Sequence, residues 1–174
     1  MLEEINKKLK EISNTGKDLI LKEWYKGVKT NHPLREDLPK VFVVDIDGTI
    51  AHSEGLRYIY DDNVHVDQPD HAIMEILKTS SIPFIIVSGR QASPLCKENT
   101  LTWLKTHLPK EPLAIYMRAF KDQRSDVIIK REIYEKHLKD KYTIVAVFDD
   151  RPCVCRMWEE QGVKVLRCGP GYEF

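Results

Sequence analysis

Asp45 and Asp47 stand one residue apart, followed at once by Gly48 and Thr49 and preceded by the apolar run Val41-Phe42-Val43-Val44. Two carboxylates at the mouth of a hydrophobic run are costly unless something nearby needs negative charge. A metal, a phosphate held through a metal, or a proton transfer would supply that need. A polar strand-end turn is the plain alternative, since Asp-Gly is common there. Two further fragments repeat the arrangement: Phe84-Ile85-Ile86-Val87 runs into Ser88-Gly89-Arg90, and Ile144-Val145-Ala146-Val147-Phe148 runs into Asp149-Asp150-Arg151. Three such endings make the turn explanation weak.

Gathered in one pocket, the four carboxylates Asp45, Asp47, Asp149 and Asp150 would repel one another strongly. A divalent cation resolves the repulsion, and an all-oxygen donor set favours Mg²⁺ over zinc. Mg²⁺ keeps several waters and accepts a substrate phosphate as ligand, which points to phosphoryl chemistry. Ser88 and Thr49 offer hydroxyls to non-bridging phosphate oxygens. Lys130 lies one turn into a helix expected to open at Ser125 or Asp126, where it could bring positive charge to the phosphate and the nucleophile.

Those residues need a frame that collects strand ends. Each apolar run is short and rich in β-branched residues, as expected of a strand buried on both faces of a parallel sheet. Leu113–Met117 is a third strand in chain order, and Val163–Leu166 a short last one. Between them lie helical stretches: one after Pro69 carrying Ile73, Ile76 and Leu77, one from Leu95 to Leu108 with a Leu101, Leu104 and Leu108 stripe, one carrying Val127, Ile128, Ile133, Tyr134 and Leu138, and one through Met157 and Trp158 that stops at Gly162. Strands alternating with helices imply right-handed βαβ units, an α/β three-layer sandwich with a central parallel sheet. Ligands bind such sheets at the carboxyl ends of the strands, where the polar residues collect. Ile50–Asp70 is irregular and too short for a separate cap domain of any size.

Before this unit, residues 1–40 read as a helical extension and connector, with apolar positions Leu2, Ile5, Leu9 and Ile12, then Leu19, Ile20, Trp24 and Val28. They suggest a packing or assembly surface. Residues 41–174 form the α/β unit. Lys plus Arg and Asp plus Glu both number 27, so overall charge advertises neither nucleic acid nor membrane, though a local basic groove is compatible with it. No stretch approaches the ~20 apolar residues of a membrane span, and the charged first residues lack an apolar signal core. The four cysteines, Cys96, Cys153, Cys155 and Cys168, show no zinc spacing and read as reduced thiols. A soluble cytoplasmic protein is expected.

Asp45-Ile46-Asp47-Gly48-Thr49, Ser88-Gly89-Arg90, Lys130 and Asp149-Asp150 resemble, in order and spacing, the four motifs of the haloacid dehalogenase (HAD) superfamily of aspartate-based phosphohydrolases. The likeness spans Val41 to Gly169. A narrower resemblance, carried by Arg57, Val87–Arg90, Arg124–His137 and Phe148–Arg151, is to the phosphatase domain of phage polynucleotide kinase-phosphatases, which remove 3′-phosphates from broken RNA or DNA ends. It implies a functional set of Asp45, Asp47, Arg57, Arg90, Asp126, Lys130, Asp149 and Asp150, a small open cap, and a polynucleotide 3′ end as substrate, with 2′,3′-cyclic phosphates as a further candidate. It also implies covalent catalysis: Asp45 attacks phosphorus, Asp47 shuttles the proton, and Mg²⁺ is held by Asp45, the Asp47 carbonyl and one or both of Asp149 and Asp150. A phage origin would put the protein in host cytoplasm.

The chain contains no GxxxxGK[ST] phosphate loop, so a stand-alone phosphatase or one polypeptide of a split system is expected. Arg90 either orients Asp149 or Asp150 through a bidentate pair or touches substrate. Asp126 either complements the helix dipole, positions Lys130, or does both. Arg118 and Arg124, near the site edge, read either as contacts to a nucleic-acid backbone or as solvated surface arginines, Trp103 and Trp158 as core, and Tyr58 and Tyr60 as loop tyrosines able to stack on a base. A small-molecule phosphatase and a binding module on a retired enzyme fold are the alternatives.

Overall fold

The computed structural model describes residues 32, 34–53, 55 and 62–169. The expected N-terminal helices, Arg57, Tyr58 and Tyr60 lie outside the described residues.

In chain order the elements are β1 (Lys40–Val44), β2 (Ala51–His52), a 3₁₀ turn (Val64–Val66), β3 (Gln68–Pro69), α1 (His71–Thr79), β4 (Phe84–Gln91), α2 (Pro94–His107), β5 (Ile115–Arg118), α3 (Asp126–Ile133), β6 (Thr143–Asp149), α4 (Pro152–Glu160) and β7 (Val165–Arg167). After α3 the chain widens into a π-helical turn over Tyr134–Leu138. Five strands form one sheet in the order β5-β4-β1-β6-β7, with every pairing parallel. The α/β architecture read from the sequence is therefore present. β2 and β3, at the two ends of the insert after the first motif, form a separate antiparallel pair.

The sheet is buried on both faces because its strands carry apolar side chains at consecutive positions. Val41, Val43, Ile85 and Val87 join Ile129, Ile133, Leu138, Val154, Met157 and Trp158 in one core. Val44, Ile86, Phe84 and Phe148 join Ile73, Met74, Leu77, Trp103 and Leu104 in the other. Trp103 and Trp158 are thus core, as their spacing predicts. Of the predicted leucine stripe, Leu104 is buried and Leu108 packs against the core, but Leu101 is 39% exposed. Helical spacing puts it on the same face as both, so its exposure shows that the core covers only part of that stripe.

Local signals set the helix starts. The Asp70 carboxylate accepts from the Ile73 amide (2.9 Å) to cap α1, and Ser93 accepts from Cys96 (3.2 Å) to cap α2, whose first residue is Pro94. α4 likewise opens on a proline, Pro152. Among the described residues, no helix is long and apolar enough to cross a membrane.

Candidate active site

The sequence of the first turn explains the position of its acids. Beyond β1, the Ile46 carbonyl accepts from the amides of Thr49, Ile50 and Ala51 (3.2, 3.0 and 2.9 Å), so the chain coils tightly around that one oxygen. Gly48 makes this possible: its φ is +74°, and a Cβ there would run into the Asp150 carboxylate. The first and last motifs therefore touch. The Asp45 amide also donates to Phe148 O (3.0 Å), extending the β1–β6 pairing to the acid itself.

Inside this contact lies an ion cluster. The Lys130 side chain, 1% exposed, places Nζ 2.9 Å from Asp45 Oδ1 and 2.8 Å from Asp149 Oδ2. Burial pulls the lysine's pKa down, but the Asp149 and Asp45 carboxylates outweigh it and leave the ammonium firmly protonated. Burial pushes Asp45 well above the usual carboxylate range, with Asp149 and Asp47 adding to the rise and Lys130 opposing it. Asp150 is pushed up to about 6, chiefly by burial and then by Asp149. One ammonium is too little charge for three carboxylates.

Asp45, Asp149 and Asp150 each offer an oxygen within 4.8 Å of the others. Asp150 Oδ1 is buried with no hydrogen-bond partner among the described residues, the condition expected of a metal ligand. The all-oxygen donor set suits a hard cation such as Mg²⁺. Asp47, the fourth predicted carboxylate, points elsewhere.

Its partner is Arg90, which donates to Asp47 from Nε (2.8 Å to Oδ2) and Nη2 (2.7 Å to Oδ1), a bidentate fork. Among the described residues this is the pairing in place of the expected one with Asp149 or Asp150. β1 stands between β4 and β6, so the carboxylates nearest the end of β4 are those that follow β1. Arg90 Nη2 also lies 2.6 Å from Asp67 Oδ2. Asp67 is 2% exposed, and its carbonyl accepts from Trp103 Nε1 (2.8 Å). Sequence reasoning missed Asp67, since a lone acid between Val66 and Gln68 in an irregular insert carries no pattern. Only burial marks it.

Ser88 and Thr49 are both fully buried. Ser88 Oγ accepts from the Arg90 amide (3.1 Å), while Thr49 Oγ1 has no hydrogen-bond partner among the described residues. Asp126 departs from expectation. Rather than reaching Lys130, its carboxylate bonds the guanidinium groups of Arg118 and Arg151, and Lys130 is held by Asp45 and Asp149. Arg118, read as a solvated surface residue, is 8% exposed. Its Nε donates to Gly89 O (2.7 Å), and its Nη1 to the carbonyls of Asp122 (3.2 Å) and Arg124. A Cβ on Gly89 would sit 2.6 Å from Asp126 Oδ1, so the glycine admits this close approach. Arg124 does lie at the surface, paired with Asp122 and Glu132.

Residues 39–172 match the family described as the polynucleotide kinase PNKP phosphatase domain. A protein of Autographa californica nuclear polyhedrosis virus, named as a proposed bifunctional polynucleotide kinase/RNA ligase, is 28% identical over 153 residues, covering 82% of this chain and 22% of its own length. Two solved structures are also similar. A chain in "Structure of Pnkp1/Rnl/Hen1 complex" superposes with a TM-score of 0.75 at 27% identity, covering 82% of this chain and 50% of its own. One in "Structure of the Pnkp1/Rnl/Hen1 RNA repair complex" gives 0.73 at 26%, covering 82% and 47%. The chain thus spans about a fifth of the viral relative and about half of each structural one. Matched motifs, sheet order and family profile agree: this chain belongs to the family of polynucleotide kinase-phosphatase (PNKP) phosphatase domains, on a HAD-like fold.

Proposed function

We propose that this domain is a Mg²⁺-dependent phosphomonoesterase that removes 3′-phosphates from polynucleotide ends through an aspartyl-phosphate on Asp45. The observation that carries the reading is the undercharged cluster in which buried Lys130 bridges Asp45 and Asp149 beside the unpartnered Asp150 Oδ1. Asp45, Asp149 and Asp150, with the Asp47 carbonyl, would hold the ion, which when bound neutralises carboxylate charge and polarises the phosphate.

The chain's own groups do the rest. Asp45 attacks phosphorus while Lys130 favours its ionised form against burial. The bond from phosphorus to the 3′-oxygen breaks, and the leaving oxygen takes a proton from Asp47. To reach that oxygen, Asp47 exchanges one of its Arg90 hydrogen bonds for it, which its half-exposed position permits. A water then gives a proton to Asp47 and its oxygen to phosphorus, the aspartyl bond breaks, and inorganic phosphate leaves. Arg90 and Asp67 keep Asp47 at the site, Ser88, Gly89 and Thr49 border the phosphate, Asp126 braces the Gly89 turn, and Arg57 contributes a cation to substrate.

The family match supports phosphatase chemistry, and the similarity to a chain of an RNA repair complex supports a polynucleotide substrate. The 3′ position, a cyclic-phosphate activity and cytoplasmic placement belong to the same reading, as does residues 1–40 forming an assembly extension. The test compares Mg²⁺-dependent phosphate release from a 3′-phosphorylated oligonucleotide, a free 3′-nucleotide and an aryl phosphate. Preference for the polymer supports end healing. Preference for the nucleotide overturns it in favour of a small-molecule phosphatase, and no release from any of the three leaves only a binding module.

A further inference from the structure

We propose that Phe120 is a base-stacking platform for the strand that enters the active site, an inference that rests on the polynucleotide reading above. Its loop, residues 119–125, leaves the carboxyl end of β5 beside the phosphate-border turn of β4. Arg118, the last residue of β5, pairs in register with Gln91, and its carbonyl accepts from Ala92 (2.8 Å). β5 lies two strands from β1, so the loop begins on the order of 10 Å from the strand that carries Asp45. That distance suits a nucleotide adjoining the reacting phosphate.

The loop is held rigidly. Buried Arg118 donates into it at the Asp122 and Arg124 carbonyls while anchored to Gly89 O and Asp126. Asp122 closes the turn from inside, accepting from the Arg124 amide (3.0 Å) and guanidinium while its own amide donates to Ala119 O (3.1 Å). On this brace Phe120 is 53% exposed and belongs to neither core. Single exposed apolar residues are ordinary, but two observations set this one apart. Lys121 is the one non-glycine residue with positive φ (64°) among the described residues, a strained conformation of the kind found at ligand-binding sites. Its ammonium lies 5.4 Å from the centre of the Phe120 ring. With the cation over one face, the ring can take a base on the other and the ammonium the adjoining phosphodiester, the pairing of stacking and charge that binds single-stranded nucleic acid. Preorganised as it is, the loop loses little freedom on binding.

The test measures phosphate release from a 3′-phosphorylated oligonucleotide and from the same strand made abasic at its last two nucleotides, with wild type, Phe120→Ala and Phe120→Trp. Wild type is expected to show a KM about tenfold higher on the abasic strand, the size of one lost base-aromatic stack. Phe120→Ala is expected to raise the KM for the intact strand by the same factor, with kcat unchanged, and to lose discrimination against the abasic strand. Phe120→Trp should keep that discrimination. If wild type works on the oligonucleotide and Phe120→Ala still discriminates fully, the platform is wrong and the polynucleotide reading survives. If wild type releases phosphate from glycerol phosphate but from neither strand, both fall together.

Discussion

Two clusters of opposite character flank the same sheet edge. The inner one sets three buried carboxylates, Asp45, Asp149 and Asp150, around the single ammonium of Lys130. The outer one sets two guanidinium groups, Arg118 and Arg151, around the single carboxylate of Asp126. What each leaves unpartnered among the described residues is also opposite: a buried acceptor, Asp150 Oδ1, in the first, and a buried donor, Arg151 Nε, in the second. An excess of buried negative charge is costly without a cation, whereas in the outer cluster Arg118 spends its other donors on backbone carbonyls and shapes the loops. The inner cluster leaves carboxylate charge uncompensated, while the outer one ties loops to the sheet edge.

Substitutions can break that contrast. The largest effect should come from Asp45→Asn, which removes the proposed nucleophile with little change of shape. Phosphate release should fall by about 10⁴-fold or more, and near-normal turnover would sink the covalent scheme. In the outer cluster, Asp126→Ala strands two largely buried guanidiniums and should cost about 3–5 kcal/mol in a denaturant titration. A loss below about 1 kcal/mol would mean that this cluster does not brace the fold.

Arg90→Lys keeps the charge but loses the fork that grips Asp47. kcat should drop about 10²-fold with the unfolding midpoint little changed, and an equal loss from Arg90→Ala and Arg90→Lys would show that geometry, not charge, is what Asp47 needs. An Arg90→Lys enzyme as fast as wild type would remove Arg90 from the proton-transfer machinery.

The smallest effect tests the inner cluster's excess charge. Asp150 has a folded pKa of about 6, above the ordinary unfolded value of about 3.9. Its contribution to stability in ion-free protein is therefore full below about pH 4 and lost as pH rises through about 6. Asp150→Asn should raise the ion-free Tm at pH 7.5 by a few degrees, flatten that part of the pH profile and abolish stabilisation by added Mg²⁺. If the variant is less stable without the ion and still gains with it, Asp150 is not a ligand.

How far the sequence reaches can be seen by comparing Asp149 with Asp67. Asp149 ends an apolar run, so strand pattern and the rule of carboxyl-end ligands are enough to place it at the sheet edge. Asp67 sits in an insert with no periodicity, and its contact with Arg90 depends on how that insert folds over α2. Arg118 shows the same gap from the other side. As a charged residue near a predicted strand end it reads as solvated, yet the β5 edge tucks it beneath Gly89, where backbone carbonyls take its protons.

Alternation of apolar runs and helices, with acids at the run ends, determined the α/β class, the edge that carries the chemistry and its oxygen-rich character, because hydrophobic period and strand direction are local properties written along the chain. Which cation meets which carboxylate was decided only by the tertiary structure. Strand order put β1 between β4 and β6, giving Arg90 to Asp47 and Lys130 to Asp45 and Asp149. Coulombic partners are chosen by distance and burial, and neither exists until the chain has folded.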